Sequence, residues 1–211
     1  LELGGKAPFL VFDDADVEAA AHGAVAGAII NGGQDCTAAT RAYVQAPLFD
    51  AFTARVAELM DAVVVGDPTD PDTDLGSLIS HAHRDKVAGF VDRARASGAQ
   101  ILAGGVAPGG DLAAGAFYRP TLVTGAAQDS EIVRDLNRSL RASEEIAAGC
   151  VWVNDHIPIV SEMPHGGYKA SGFGKDMSVY SFEEYTNVKH VMMSRDAAAH
   201  KEWQDTVFKE R

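Results

Sequence analysis

The chain has 211 residues, 46% hydrophobic and 23% charged, a composition that allows one large or two small globular domains. Its formal net charge of −12 argues against nucleic-acid binding, which usually needs a basic surface. No apolar run approaches the length of about 18 residues that predicts a transmembrane helix. Only two cysteines, Cys36 and Cys150, are present, which suits a reducing compartment, so we expect a cytoplasmic protein without a membrane partner.

The first predicted elements are a strand, a helix and a second strand. The apolar run at residues 7–12 predicts a buried strand, and Asp14 or Asp16 can cap the helix that follows. Gly32 and Gly33 end this helix, because glycine adopts the left-handed conformation of a helix C-terminus without a Cβ clash. A second strand is expected at residues 41–45, and Cys36 lies on the turn before it.

The rest of the chain continues the alternation. The predicted elements are a helix opened by Pro47, a loop at 66–74, a helix from Ser80 to Ser97, strands at 100–103, 117–123 and 150–154, a helix at 131–148, a last strand at 187–193 and a helical tail. Residues 156–176 form a long glycine-punctuated loop of the kind that is usually functional or disordered. Alternating strands and helices predict an α/β fold with a mostly parallel sheet and flanking helices.

Nucleotide and metal motifs are missing from the sequence. No G-x-G-x-x-G follows a predicted strand, and the glycines at 172 and 174 lack the third member of that motif. Residues 167–175 also fail the phosphate-loop spacing, since Phe173 stands where a lysine is required. His81 and His83 form the closest histidine pair, but no further ligand follows at metal-site spacing, so we expect no metal.

Cys36 is the most informative residue, because its neighbours in NGGQDCT are small or polar and leave the thiol accessible. Asp35 is anionic and disfavours a thiolate, so activation must come from backbone N–H groups, a cofactor's charge or a separate base. The residues alone favour a catalytic cysteine and an ordinary one about equally. A hydrolase using Cys36 with His156 or His165 as base is one alternative.

Several motifs then occur in a fixed order. They are residues 1–6 (LELGGK), 33–36 (GQDC), 152–154 (WVN), 164–172 (PHGGYKASG) and 185–189 (YTNVK). In this order, and with Glu2 and Cys36 34 positions apart, they resemble the aldehyde dehydrogenase superfamily. The segments NGGQDCTAATR and SEMPHGGYK are most similar in sequence to the gamma-aminobutyraldehyde dehydrogenase branch.

The resemblance implies oxidation of an aldehyde to its carboxylate with NAD, or alternatively NADP, as hydride acceptor. It implies that Cys36 is the nucleophile and Glu2 the general base, because a thiolate adds to the carbonyl and a carboxylate can activate the water that hydrolyses the thioester. Leu3 and Gly4 would contact the nicotinamide. The residues implied to line the substrate pocket are Asp35, Thr37, Asn154 and Glu162.

Two parts of the family pattern are absent. One is the amino-terminal Rossmann half, which suggests that the chain is cut from a longer parent. The other is the motif E-x-F-G-P-V, expected after residues 131–133, where the sequence continues instead with Arg134. We therefore expect a partial catalytic domain at 1–185 with a deletion near 133–134, an oligomerisation strand at 186–193 and a tail at 194–211. The parent would be a homo-oligomer and this chain an inactive fragment; a non-catalytic oligomerisation remnant is the other alternative.

Overall fold

Strands β1 (Pro8–Val11) and β2 (Arg41–Val44) pair in parallel, with Pro8 opposite Arg41 and Val11 opposite Val44. They belong to a computed structural model that describes residues 4–127, 130, 132, 148–152, 154–193 and 195. Both strands were predicted from the sequence, and their parallel pairing requires a crossover connection between them.

Helix α1 (Val17–Ile29) is that crossover, and its start was predicted. The Asp16 carboxylate accepts a hydrogen bond from the Ala19 backbone N–H at 2.8 Å, which satisfies one of the free donors of the first turn. The helix runs into a short 3₁₀ turn at Ile30–Gly33, in which Gly32 and Gly33 have φ of 68° and 69°. The prediction that these two glycines end the helix is confirmed.

Helix α2 (Phe49–Ala62) follows a 3₁₀ turn that contains Pro47, and it packs against α1. Phe52 is almost completely buried between them, so its truncation to alanine should cost about 3–5 kcal/mol. Outside the core, Arg55 donates two hydrogen bonds to Glu18 at 2.6 and 2.7 Å and thereby lowers the pKa of Glu18 to about 2. The buried core cluster consists of Val11, Ala21, Ala24, Val25, Phe52, Val56, Met60 and Ala103.

Helix α3 (His81–Ala96) begins where predicted, with the Ser80 hydroxyl accepting from the His83 N–H at 3.1 Å. Strands β3 (Gln100–Ala103) and β4 (Leu122–Thr124) form an antiparallel pair. The α/β class is confirmed, and among the strands of the described residues β1 and β2 are the parallel pair. The connection between β3 and β4 contains just a 3₁₀ turn, so it returns antiparallel instead of crossing over through a helix.

Two predicted strands are wrong for the single chain. Residues 150–152 and 154 form no strand, and Asn154 has a left-handed φ of 54° that an extended strand does not allow. Residues 187–193 also form no strand, because no neighbouring segment among the described residues pairs with them. Between these segments lie a 3₁₀ turn at Lys169–Ser171 and the helix α4 (Ser178–Glu184).

Other predictions fall on residues that the structure does not describe. The helix expected at 131–148 lies almost entirely outside the described residues, as does the helical tail after residue 194. Across the described parts of the chain, the helices are too short or too polar to cross a membrane.

Candidate active site

Cys36 is exposed on the turn that follows α1. Asn31 and Gln34 hold this turn from both ends: the Asn31 side-chain amide donates to the Gln34 carbonyl at 3.1 Å, and the Gln34 amide donates to the Asn31 carbonyl at 3.3 Å. A Cβ on Gly33 would lie 3.1 Å from the Ala28 carbonyl oxygen, so glycine is required there on two grounds, crowding and its positive φ. The NGGQ sequence thus shapes the turn that presents the thiol.

Asp35 and Thr37 flank the thiol and bond to each other. The Asp35 carboxylate accepts from the Thr37 backbone N–H at 2.6 Å and also from the Thr37 hydroxyl. These hydrogen bonds hold the pKa of Asp35 below its usual value, with smaller electrostatic effects from His156 and His165. The predicted substrate-pocket residues Asp35 and Thr37 therefore lie at the thiol, where the geometry shows them stabilising the turn.

The LELGGK segment approaches this turn. A Cβ placed on Gly5 would lie 3.4 Å from the Cys36 carbonyl oxygen, although the two residues are 31 positions apart in the chain. Gly4 is exposed, and a Cβ on it would meet nothing within 4 Å. Glu2 and Leu3, the expected base and a cofactor contact, lie outside the described residues. The segment that carries them nevertheless reaches the thiol turn through Gly5.

Arg41 anchors the same segment and was given no role from the sequence. Its guanidinium donates to the Lys6 carbonyl from Nε at 3.1 Å and from Nη2 at 2.5 Å, and Nη1 donates to the Tyr43 hydroxyl at 3.4 Å. One signal was available: a half-buried strand that begins with arginine needs a partner for the charge. One of its partners is the Lys6 carbonyl, 35 residues earlier, which no local pattern indicates.

His156 packs against α1, the helix that precedes the Cys36 turn. The His156 ring lies edge-on to Trp152, with centroids 5.5 Å apart, and a Cβ on Gly27 would be 3.1 Å from His156 Nε2. That Nε2 is buried and makes no hydrogen bond within the described part of the chain. His156 is therefore not hydrogen-bonded to Cys36 through Nε2, and the hydrolase alternative gains no support from it. Asn154 is exposed two residues before His156.

Glu162 lies on an exposed turn in which the Met163 N–H donates to the Val160 carbonyl at 3.1 Å. The next residues form a tight glycine loop, closed by two backbone hydrogen bonds between His165 and Asp176 at 2.9 and 2.6 Å. The described contacts do not join Glu162 to the cysteine turn. Its expected place in the substrate pocket stays a prediction.

A cleft of about 430 Å³ adjoins the cysteine turn at Asn31, Gly32 and Gln34. Gln34 borders it and accepts a hydrogen bond from the Ile79 backbone N–H at 3.1 Å, which ties the turn to the loop before α3. Cys36 is not among its lining residues, so this cleft is separate from the thiol. In the described ranges, no group of three or more His, Cys, Asp or Glu residues is arranged to hold a metal ion.

Comparison with known proteins agrees with this geometry. The chain matches the aldehyde dehydrogenase family over residues 1–135 and 133–191. It is 35% identical to betaine aldehyde dehydrogenase of Sinorhizobium fredii over 90% of this chain and 47% of that protein. It is 34% identical to betaine aldehyde dehydrogenase 1 of Rhizobium meliloti, again over 90% and 47%. The chain thus spans about half the length of the curated relatives that it matches.

Solved structures give the same result. The NAD⁺ complex of an aldehyde dehydrogenase from Bacillus cereus superposes with a TM-score of 0.82 at 27% identity, over 93% of this chain and 47% of that one. Betaine aldehyde dehydrogenase from Staphylococcus aureus, also solved with NAD⁺, gives 0.82 at 32% identity, over 88% and 44%. The motifs, the fold and the match over most of the chain agree, and the chain belongs to the aldehyde dehydrogenase family.

Proposed function

We propose that this chain is the thiol-bearing catalytic part of an NAD-dependent aldehyde dehydrogenase that oxidises an aminoaldehyde, such as 4-aminobutanal, to its carboxylate. The observation that carries the proposal is the approach of Gly5 to the backbone of the exposed Cys36, where a Cβ on Gly5 would lie 3.4 Å from the Cys36 carbonyl oxygen. A glutamate segment beside an accessible cysteine supplies both a nucleophile and a base.

Cys36 performs the first step in this proposal. Its thiolate adds to the aldehyde carbon, the carbonyl oxygen becomes negative, and a thiohemiacetal forms. The Cys36 backbone N–H can donate to that oxygen, as donors in oxyanion holes do. The exposed position of Cys36 leaves room for the aldehyde to approach.

Glu2 is the proposed base for two proton transfers. It takes the proton from the thiol and releases it to solvent, and later the carboxylate takes a proton from the water that hydrolyses the thioester. It stands three residues before Gly5, on which a Cβ would lie 3.4 Å from the Cys36 carbonyl oxygen. This proximity along the chain supports the assignment of Glu2 as the base.

The residues present fit a nicotinamide near Gly4. The space around Gly4 is open, and a residue without a side chain lets a flat ring approach the backbone closely. When bound, NAD accepts the hydride that leaves the former aldehyde carbon. The NAD⁺ in two solved relatives supports NAD, with NADP as the alternative. Leu3 is the second proposed contact.

The proposed substrate class is an aldehyde that carries a cationic nitrogen. The curated relatives are named betaine aldehyde dehydrogenases, and betaine aldehyde carries a quaternary ammonium group. The resemblance of the cysteine and SEMPHGGYK segments to the gamma-aminobutyraldehyde branch supports a primary amine instead. In the proposal Glu162 or an aromatic face receives the cation, while Asn154 with Asp35 and Thr37 lines the aldehyde end.

Protection of Cys36 from iodoacetamide tests this proposal, because a reversible thiohemiacetal blocks alkylation. Peptide mass spectrometry follows Cys36, with Cys150 as the internal control. We expect 4-aminobutanal to protect Cys36 at a concentration about tenfold below that of butanal, the factor that one charge-assisted contact supplies. Glu162→Gln should remove most of this difference. Equal protection by both aldehydes contradicts the substrate, and absence of protection by either contradicts the role of Cys36.

The proposed organisation has a partial catalytic domain at 1–185, an oligomerisation strand at 186–193 and a tail at 194–211. The two ranges that match the family meet at 133–135, which supports a missing segment near 133–134. The strand would join copies of the chain into a homo-oligomer. On its own the chain is proposed to form the thiol adduct without completing NAD reduction.

A further inference from the structure

We propose that Arg41 is a positioning residue: its guanidinium holds the backbone of Lys6, four residues after Glu2, and thereby orients the glutamate segment for base catalysis at Cys36. The inference rests on the proposed function, since it presumes that Glu2 acts on chemistry at Cys36. In this assignment Arg41 acts through the backbone of Lys6, to whose carbonyl it donates two hydrogen bonds.

The contact is directed and charge-assisted. Nε and Nη2 of Arg41 both donate to the single carbonyl of Lys6, at 3.1 and 2.5 Å. The guanidinium is oriented from its other side by Tyr43, whose hydroxyl accepts from Nη1 at 3.4 Å and whose ring centroid lies 5.8 Å from the guanidinium carbon. Hydrogen bonds from a charged donor are about twice as strong as neutral ones. The Lys6 carbonyl is therefore held in one place.

Sheet pairing does not hold this carbonyl. The parallel register begins with Pro8 opposite Arg41, so residues 4–7 precede the strand. Pro8 also lacks an N–H and cannot donate the first ladder hydrogen bond. The Arg41 side chain thus extends the link between the two segments beyond the end of the backbone ladder, towards Gly5.

The contact between Arg41 and the Lys6 carbonyl lies between the two segments that carry the proposed catalytic groups. Arg41 follows Cys36 by five residues, and Lys6 follows Glu2 by four. The side-chain contact consequently joins the two catalytic segments a few residues from each proposed reacting group, next to the close approach of Gly5 to the Cys36 carbonyl. Misplacement by about 1 Å can slow an enzymatic step about a hundredfold, so a loosened Lys6 carbonyl should affect Glu2 more than Cys36.

The test uses p-nitrophenyl acetate, an ester that acylates the thiol without NAD. The burst of nitrophenol reports acylation of Cys36, and the steady rate reports deacylation, which needs the base. For Arg41→Met in the full chain we expect a steady rate reduced about tenfold and a burst amplitude within about twofold of the wild type. A misplaced Glu2 slows deacylation, the step that needs the base, and has little effect on acylation of the thiol. Arg41→Lys keeps a donor and should restore part of the steady rate.

Arg55→Met is the matched control, since Arg55 also bridges two elements, through Glu18, and lies away from the thiol. It should change neither the burst nor the steady rate. In a Glu2→Gln background, Arg41→Met should have less than about a twofold further effect, as expected for residues that act as a unit. Circular dichroism confirms folding, and if Arg41→Met does not fold, Arg41→Lys decides by the same criteria.

Two results have different meanings. If Glu2→Gln deacylates at the wild-type rate, the proposed function itself is wrong. Two outcomes would leave the proposed function standing and give Arg41 only a structural role, provided that Glu2→Gln slows deacylation. In one, Arg41→Met slows deacylation by the same factor with and without Glu2→Gln. In the other, Arg41→Met lowers the burst and the steady rate equally.

Discussion

The carbonyl oxygen of Cys36 lies 3.4 Å from the position that a Cβ atom would take on Gly5, whereas the same position on the adjacent Gly4 meets no atom within 4 Å. Two neighbouring glycines thus have different surroundings. Gly5 permits a close backbone approach to the thiol turn, and Gly4 faces open space where the nicotinamide is proposed to lie.

This contrast predicts different effects of valine at the two positions. Gly5→Val adds a branched side chain against the Cys36 carbonyl and should displace the turn, changing the iodoacetamide labelling rate of Cys36 by about fivefold or more, as overpacking shifts backbone. Gly4→Val should leave the labelling rate within about twofold, because its side chain enters open space. Equal labelling rates for the two variants would contradict the close approach. Labelling is read by mass spectrometry of the Cys36 peptide.

A second prediction concerns Gly33, at the end of α1. Gly33→Ala should lower the free energy of unfolding by about 1–2 kcal/mol for the left-handed backbone and further for crowding against the Ala28 carbonyl, 3.1 Å away. Gly98→Ala is the control, since Gly98 also has a positive φ, 93°, but a Cβ added to it would meet no atom within 4 Å. Urea unfolding should show the larger loss for Gly33→Ala, and only that variant should change Cys36 labelling. Equal losses for both variants would contradict the crowding.

Asp35 gives a pH-dependent prediction. Hydrogen bonds from Thr37 lower its pKa in the folded state, so its contribution to stability is present above the unfolded-state pKa of about 3.9 and disappears as the pH falls through the lower folded pKa. The difference in unfolding free energy between wild type and Asp35→Asn should therefore be largest near neutral pH and shrink in acid. Urea unfolding between about pH 7 and pH 3 measures it. A pH-independent difference would show that the carboxylate charge is not involved.

Asp67 is the matched control for that experiment. Its carboxylate accepts from the Thr69 N–H and hydroxyl, both at 2.8 Å, and these bonds lower its pKa as Thr37 does for Asp35. Asp67→Asn should show the same direction of pH dependence without changing the labelling rate of Cys36, because the Asp67 side-chain bonds stay within residues 67–69 and involve neither Asp35 nor Thr37. A change in labelling for both variants would indicate a general loosening of the fold.

The elements that the sequence predicted correctly are those with local causes. Asp16 and Ser80 cap helices through hydrogen bonds three residues away, and two glycines end α1 through their own backbone geometry. Residues 187–193 do not form the predicted strand in the single chain, because a strand depends on a non-local partner. Apolar side chains in the segment do not supply that partner.

The distinction between local causes and distant partners also applies to the candidate site. Cys36 was predicted as the nucleophile from its small polar neighbours and from the order of the motifs, both of which are visible in the sequence, and the structure shows it exposed on a turn. Arg41 was not found, because its partner is the carbonyl of Lys6, 35 residues away, and every residue type has a carbonyl. The place of Glu162 in a substrate pocket rests on the resemblance alone and stays a prediction.

The residues after α4 predict association between copies of the chain. Val188 and Met192 are 89% and 82% exposed, an apolar edge that pairing with a second copy would cover. A chain that ends after residue 180 should elute as a smaller species than the full chain in size-exclusion chromatography with light scattering. Val191→Pro removes one backbone N–H from the segment and should weaken association to a smaller extent. An unchanged oligomeric state in the shortened chain would count against the strand.

The last prediction is that the 211-residue chain reduces no measurable NAD when it is given an aminoaldehyde. Hydride transfer requires the nicotinamide within van der Waals reach of the adduct on Cys36, and such positioning is worth about 7–11 kcal/mol of barrier. Gly4 offers the ring an open surface, but neither a Rossmann G-x-G-x-x-G motif nor the family's E-x-F-G-P-V motif occurs in the sequence to hold the rest of the cofactor.

Absorbance at 340 nm with saturating NAD and 4-aminobutanal measures turnover, and calorimetric titration measures NAD binding. Ester cleavage by the same preparation is the positive control, because it needs Cys36 but no cofactor; it should be lost in Cys36→Ser and kept in Cys150→Ser. NADH formation by the wild-type chain, or NAD binding in the micromolar range, would show that residues other than Leu3 and Gly4 build a cofactor site on this chain. Ester cleavage without NADH formation is the expected result, since the nucleophile is present and the groups that would orient the hydride acceptor are not.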